Sequence, residues 1–528
     1  MIKLKKSLKI FFIFSLLIFL PLCVPREKIE IPPQQLQELK SKIEEAEILF
    51  KKGSYSCLKE SLRIYQDLLS FPAYQRKIRE NLLKTSLILC LRENELGLIN
   101  DRYFQEAYNL IQNYPYLSEF SIYLELIQIN SAEARGSAGN IFKNEDSVDR
   151  FFKWIKENVE RLNKDLKEKS RSEEFFAYFY LHLNSEFPYH IKEKDGFSRF
   201  YEIFPNSSLI HYKLALFPKV NQKKLKELLK KETSFHETYY FLGEIELMLG
   251  KLISAEKNFL KANKNFPRSL SVTISLTKIY FAFEEFEKCL EFNEKALDLS
   301  PDYRDALLGK AICLCYLGRN EEAIEMLNKL IELGMYLMGE THYWLAWNWN
   351  ELEKYEDAWK EIENAKKYLI GNHEVNSLSG IIAFKKGNLD EAEKDFKEAL
   401  RMNPSSCESA FYLGKICARR GNWKDSGLYF ERAASCQERI EDALEKKTKE
   451  IENSDFSEER KKKLILRKKM QERKTRLTKA TSFYNAAAGY FNAGEKKRSL
   501  SLAQKAALHS SFKEKADKLI ESIKKLDE

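Results

Sequence analysis

The register of small residues constrains this chain more than any other feature. With His373 counted as position 1, Gly380 falls at 8, Gly387 at 15, Ala392 at 20, Phe396 at 24, Ala399 at 27 and Pro404 at 32. Counting from His236 puts Leu242 and Gly243 at 7 and 8, Gly250 at 15, Ala255 at 20, Phe259 at 24, Ala262 at 27 and Pro267 at 32. The stretches from Leu270 (Leu276, Tyr280, Phe286, Ala296, Pro301), Arg304 (Ala311, Gly318, Ala323, Leu327), Gly339 (Leu345, Ala346, Tyr355, Ala358, Ala365) and Cys407 (Leu413, Gly414, Gly421, Phe430, Ala433) keep the phase. Successive starts are 34 residues apart, with one step of 35. Six units in register mark an internal repeat. Units of this length bury their apolar faces only against their neighbours. With 19 Gly and 12 Pro in 528 residues, the loops must be short, and the chain is too long for a single compact core.

These residues resemble the tetratricopeptide repeat, a helix-turn-helix of 34 residues. The resemblance implies an all-α fold: a superhelix of antiparallel helix pairs, with positions 8, 20 and 27 where the helices approach closest. Large residues at 7, 11 and 24 fill the layers, Gly at 15 ends helix A, and Pro at 32 closes helix B. Residues 39–72 (Ala46, Leu49, Gly53, Tyr55, Leu62, Phe71-Pro72) resemble one further unit. Residues 480–528 resemble another, with Phe483, Ala487, Tyr490, Gly494 and Ala506, followed by a polar capping helix. The expected organisation is a helical region over 37–130, an irregular helical region over 131–235, six repeats over 236–436, a charged interruption over 437–479, and the terminal repeat and cap. The glycines of "SAEARGSAGN", 131–140, read as a linker, because no GxxxxGK[ST] accompanies them.

The N-terminus carries Lys3, Lys5, Lys6 and Lys9, then an apolar run from Ile10 to Leu22. That length suits a signal-peptide core and is short for a membrane span. Ending in Leu20-Pro21-Leu22-Cys23, it resembles a bacterial lipoprotein signal, although Leu22 stands where a small residue is usual. The resemblance implies cleavage after residue 22, lipidation of Cys23, a tether over 23–36 and a place in the bacterial cell envelope. An uncleaved membrane anchor is the alternative. The other eight cysteines (57, 90, 289, 313, 315, 407, 417 and 436) lack C-x-x-C pairs and read as buried thiols, with a Cys407–Cys436 disulfide as an alternative. Neither they nor the scattered histidines suggest a metal site, and no cofactor is expected.

The interruption has a strong charge pattern. Residues 437–456 hold seven acids and four bases, whereas 460–479 hold eleven bases and one acid. The second stretch is therefore +10 against +9 for the whole chain, so the remainder sums to −1. Ile440, Leu444 and Ile451 on one arm and Leu466, Met470 and Leu477 on the other are spaced for a coiled-coil seam. The expectation is an antiparallel hairpin that projects from the solenoid. Its basic arm comprises Arg460, Lys461, Lys462, Lys463, Arg467, Lys468, Lys469, Arg473, Lys474 and Arg476. Three readings of that arm compete: a solvated face partly neutralised by the acidic arm, a contact for anionic lipid or acidic protein, and a nucleic-acid contact. The last is weakest, because aromatic side chains for base stacking are absent.

The family resemblance also implies a concave groove for peptides, lined through positions 2, 5, 9, 12 and 13. Positions 5, 9 and 12 supply Ile274 and Phe281, Leu308 and Ile312, Tyr343, Trp347 and Asn350, and Ile381 and Phe384. Members that grip a carboxylate use Lys and Asn there, so this groove reads instead as apolar and aromatic, suited to an apolar peptide, a partner helix or a lipid-like chain. Trp349, at position 11, reads as core. Filling by the chain's own 141–235 region is the competing expectation. No nucleophile motif or His–acid pair at metal spacing points to catalysis. The sequence therefore reads as a non-catalytic scaffold for a protein or peptide partner, held at a membrane. An accessory subunit of an envelope transport or secretion system is the alternative.

Overall fold

The computed structural model describes residues 32–98, 100–121, 204–216, 221–334 and 337–525, with single positions between 123 and 181. The expected signal, Cys23 and most of 131–203 lie outside the described residues. Every regular element among the described residues is a helix, and Leu98 and Ser269 form one isolated bridge.

The N-terminal helices are α1 (Pro33–Lys52), α2 (Tyr55–Leu68), α3 (Gln75–Glu95), α4 (Arg102–Asn113), a 3-10 turn (Pro115–Phe120), α5 (Ser208–Leu216) and α6 (Gln222–Lys231). Five helix pairs follow: α7 (Thr238–Met248) and α8 (Leu252–Asn265), α9 (Leu270–Ala282) and α10 (Phe286–Leu299), α11 (Arg304–Tyr316) and α12 (Asn320–Glu332), α13 (Met338–Glu351) and α14 (Tyr355–Tyr368), α15 (His373–Lys386) and α16 (Leu389–Met402). The sixth pair is α17 (Cys407–Arg419) and the long α18 (Trp423–Glu452); α19 (Glu458–Asn492), α20 (Lys496–Ala507) and α21 (Lys513–Lys525) complete the chain.

Capping explains where the pairs begin. Ser269, Asn372 and Ser406 each stand one residue before a helix A and accept a backbone N–H from its first turn. Such a cap contributes about 1 kcal/mol. Each helix A ends on a left-handed residue at position 15. Four are glycines, as at Gly387 (φ 88°), but Glu284 and Glu353 hold the same place at φ 59°.

Packing within a pair depends on size matching. A Cβ on Gly243, Gly380 or Gly414 would meet the ring of Phe259, Phe396 or Phe430 at 2.6, 2.7 or 2.8 Å. The third and fourth repeats place Ala311 and Ala346 at position 8 and the smaller Leu327 and Ile362 at 24; all four are fully buried. Bulk is exchanged across the pair, and the helices stay at contact distance.

The array docks on the N-terminal helices through buried polar contacts. Arg92 reaches Glu237, and the Leu270 amide donates to the Gly97 carbonyl at 2.8 Å; on the N-terminal side Glu95 receives both Arg92 (2.6 Å) and Lys213 (2.8 Å). Two disulfides are present, Cys289–Cys313 and Cys407–Cys436, with Cα separations of 6.4 and 5.4 Å. Both lie in the usual range for a disulfide. The expectation of buried free thiols therefore fails for these four and describes Cys90, Cys315 and Cys417, while Cys57 is half-buried.

The interruption is an antiparallel hairpin made by lengthening two repeat helices. α18 runs without a break from helix B of the sixth repeat into the acidic arm, and α19 runs from the basic arm into the terminal repeat. Residues 436/437 and 479/480 thus fall inside helices. The expected seam is corrected. Ile451 is buried, but Leu466, Met470, Leu477 and Ile440 are 60%, 61%, 44% and 40% exposed. The inner positions of α19 are Leu464, Lys468 and Thr475 instead. Nor does the hairpin project freely, because its tip packs back on the array.

Gly380→Ala is expected to lower stability by about 1–3 kcal/mol, the cost of overpacking a filled core. Adding Phe396→Leu, the pairing the third repeat uses, should recover part of that loss; urea melts of the single and double variants check both.

Candidate functional site

Two features meet on the helix A side of the array: a chain of aromatic rings and the docked hairpin tip. The rings start in the second repeat. Phe281 contacts Phe286 and Tyr316 edge-on at 5.7 and 5.4 Å, and Phe286 stacks on Tyr316 at 4.6 Å. Tyr316 reaches Trp344 at 6.0 Å, and Trp344 touches Tyr343 and Trp347 at 5.3 and 5.8 Å. Six rings thus run continuously from the second repeat to the fourth. Phe281 and Tyr316 are exposed, at 36% and 48%, and the others are half-buried. Ring pairs in these geometries contribute about 0.5–1.5 kcal/mol beyond area burial, so the ladder holds its own shape.

Acids border the rings. The Tyr343 phenol is pushed well above its usual range, first by burial and then by the charges of Glu374, Tyr316 and Glu408. Glu408 is exposed, yet the crowding of atoms around it holds its carboxyl above the carboxylate range, while Lys474 of the hairpin draws it back down. Cations lie beyond. Lys415 sits 5.1 Å from the Phe411 and Tyr412 rings, and Arg419 sits 4.3 Å over Phe384.

The predicted groove residues divide accordingly. Phe281, Tyr343 and Trp347 belong to the ladder. Leu308 and Ile312 are half-buried beside it, as is Asn350, whose amide points to Glu351 at 3.4 Å. Ile274, Ile381 and Phe384 are 7–8% exposed and are core. Ile274 packs with Leu270, Ala296 and Ala306, and Phe384 lies beneath Tyr412 and Arg419. Trp349 is only partly buried, packed at the edge of the core. Sequence reasoning missed Phe286, Tyr316 and Trp344. Tyr316 stands at position 13 of its repeat and was legible; Phe286 and Trp344 depend on how neighbouring repeats stack.

The hairpin tip docks on the turn between helices A and B of the second repeat. Arg460 enters between two buried acids, donating to Glu256 at 2.9 Å and to Glu285 at 3.0 Å, with its guanidinium 4.0 Å over the Phe456 ring. Lys468 and Gln471 hold the two oxygens of Glu284 at 2.7 and 2.6 Å. Arg467 reaches Glu287 at 2.9 Å, and Lys257 pairs with Asp455. Between these ionic contacts Ile451 and Leu464 are buried in one cluster with Phe259, Tyr280 and Phe283, and Phe456 meets Phe283 edge-on at 5.4 Å. The hairpin therefore links the sixth repeat to the first two and clasps the array.

The basic arm is thus two populations. Arg460, Arg467 and Lys468 face the acids of the array, Arg476 pairs with Glu441 at 2.6 Å, and Lys461 pairs with Glu458 at 3.0 Å. Lys462, Lys463, Lys469, Arg473 and Lys474 are exposed, with no acid at ion-pair distance among the described residues. A cleft of about 1100 Å³ lies elsewhere, between N-terminal helices at Tyr65, Tyr74, Phe175 and Phe204.

Comparison with known proteins agrees with this geometry. Residues 378–442 match the family model described as Tetratricopeptide repeat. TPR repeat-containing protein YpiA of Bacillus subtilis is 26% identical over 178 residues, 32% of this chain and 42% of its own. TPR repeat-containing protein MJ1428 of Methanocaldococcus jannaschii is 25% identical over 261 residues, 44% of each chain. Human protein O-mannosyl-transferase TMTC3 is 23% identical over 363 residues, 57% of this chain and 39% of its own. The chain spans less than half the length of each of these relatives. Among solved structures, a tetratricopeptide repeat protein from Parabacteroides merdae covers 55% of this chain and 98% of its own, at 17% identity and a TM-score of 0.34. With the register, the helix pairs, the family-model match and the two TPR repeat-containing relatives together, the chain is a tetratricopeptide repeat protein.

Proposed function

We propose that this protein is a non-catalytic, membrane-tethered scaffold of a bacterial cell envelope that holds a partner protein through an apolar or aromatic segment. The observation that carries this reading is the ladder of Phe281, Phe286, Tyr316, Trp344, Trp347 and Tyr343, partly open to solvent on the helix A side. Rigid aromatic rings bury large area at little entropic cost, which suits them to anchor a peptide. Glu374 and Glu408 beside Tyr343 favour a basic residue next to the apolar segment. The hairpin tip packs beside the ladder, in one cluster with Trp344, so the groove is a preformed frame. The tether reading rests on the sequence alone, on Lys3 to Lys9, the apolar run and Cys23.

Two experiments test this. In selections from a random peptide display library, the wild type should enrich peptides with an apolar or aromatic core. Tyr343→Ala with Trp347→Ala should weaken their binding by about 2 kcal/mol or more, the effect of losing an aromatic anchor, with an unchanged far-UV spectrum. Unchanged enrichment would mean that the groove is unused. For the tether, metabolic fatty-acid labelling should mark the wild type and spare Cys23→Ala. An unlabelled wild type that still sediments with membranes would make residues 10–22 an anchor, and an unlabelled soluble one would remove the envelope reading.

A further inference from the structure

Docking fixes which face of the basic arm turns outward. Successive residues on a helix are turned by about 100°, so Leu464, Lys468, Gln471 and Thr475 share the inner side. The opposite side of α19 presents Lys462, Leu466, Lys469, Met470, Arg473 and Leu477 within about 100° of arc. All six are exposed. Leu466 and Met470 are the more exposed of its apolar members, at 60% and 61%. No cation of this face has an ion-pair partner among the described residues. Lys463 and Lys474, also exposed, lie along one flank of it. The acids of α19 are Glu458 and Glu459 in its first turn, Glu459 at the face's end, and Glu472, which pairs with Arg476.

Three apolar side chains set among three bare cations, on a helix held rigidly by its other side, form an amphipathic surface with one sign of charge. Long Lys and Arg side chains can lie outward around apolar neighbours that enter the headgroup boundary. The face has no aromatic ring on which a base could stack. We propose that this face of α19 is a second membrane contact, docking on an anionic phospholipid surface and laying the clasped end of the array against the bilayer. It rests on the membrane reading above only for bringing the chain near lipid. A single acyl chain gives marginal attachment, and one chain plus a polybasic patch gives stable attachment, so the two contacts complement each other.

The test uses the full-length chain with vesicles of phosphatidylcholine alone or with about 30% phosphatidylglycerol, a fraction chosen to give the surface a negative potential. Amine-reactive labelling of Lys462 and Lys469 is read by mass spectrometry, with Lys394, exposed on the fifth repeat, as the internal standard. Retention on phosphatidylcholine reports the N-terminus; additional protection on the anionic vesicles reports α19. The expected result is labelling of Lys462 and Lys469 slowed roughly tenfold on anionic vesicles, scaled to about 1 kcal/mol per basic residue at the surface. That protection should vanish in high salt and in Leu466→Ser/Met470→Ser, whose substituted side chains are exposed and leave the fold intact. Equal labelling on both vesicles would overturn the proposal. So would protection by soluble polyglutamate without a response to phosphatidylglycerol, which would assign the face to an acidic protein.

Discussion

The ion cluster of Arg460 with Glu256 and Glu285 decides how the rest of the molecule is arranged. Both acids are buried, and the guanidinium that meets them comes from roughly 200 residues further along the chain. A buried charge left without its partner typically costs 3–5 kcal/mol, so the acids and the hairpin require each other. Together with the contacts of Arg467, Lys468 and Gln471, this cluster fixes the tip of the long hairpin on the first two repeats. With it, one face of α19 is committed inward and the other outward, and the turn of the second repeat is held beside the aromatic ladder.

The same contact accounts for an irregularity in the repeat. Position 15 of each unit is left-handed, and four units use glycine there. In the second unit Glu284 takes that conformation, which costs roughly 1–2 kcal/mol for a residue with a side chain. Its carboxylate is the group that Lys468 and Gln471 hold, and its carbonyl accepts from Arg467. Local strain is thus offset by three contacts from the hairpin. No such hairpin contact accounts for Glu353, which holds the equivalent place in the fourth unit.

Much of this was legible in the sequence because each repeat states its packing locally. Gly380 opposite Phe396, Ser406 before α17 and Gly387 after α15 are rules that act within one helix pair, so spacing alone located them. The hairpin was legible as a charged, antiparallel insertion for the same reason. Its orientation was not. Leu466, Met470 and Leu477 have seam spacing, yet Leu464 and Lys468 face inward, because Glu284, some 180 residues away, supplies a partner for the lysine and the apolar side chains of Phe259, Tyr280 and Phe283 supply a pocket for the leucine. The groove was half legible. Tyr343, Trp347 and Phe281 follow from position within the unit, whereas Ile274, Ile381 and Phe384 occupy equivalent positions but are covered by neighbouring repeats. Superhelical stacking, a property of several units together, separates the two groups.

The most direct test of the clasped frame is a double-mutant cycle between Arg460→Ala and Glu285→Ala. It is read by amide hydrogen exchange of residues 280–290 and 458–470, which reports local opening free energies without requiring the whole array to unfold at once. The frame predicts that either substitution loosens both segments together, with a coupling of about 1.5 kcal/mol or more, as for close charge pairs taken out of water. Additivity within about 0.5 kcal/mol, or loosening confined to the mutated segment, would contradict it and leave the hairpin as an independent arm.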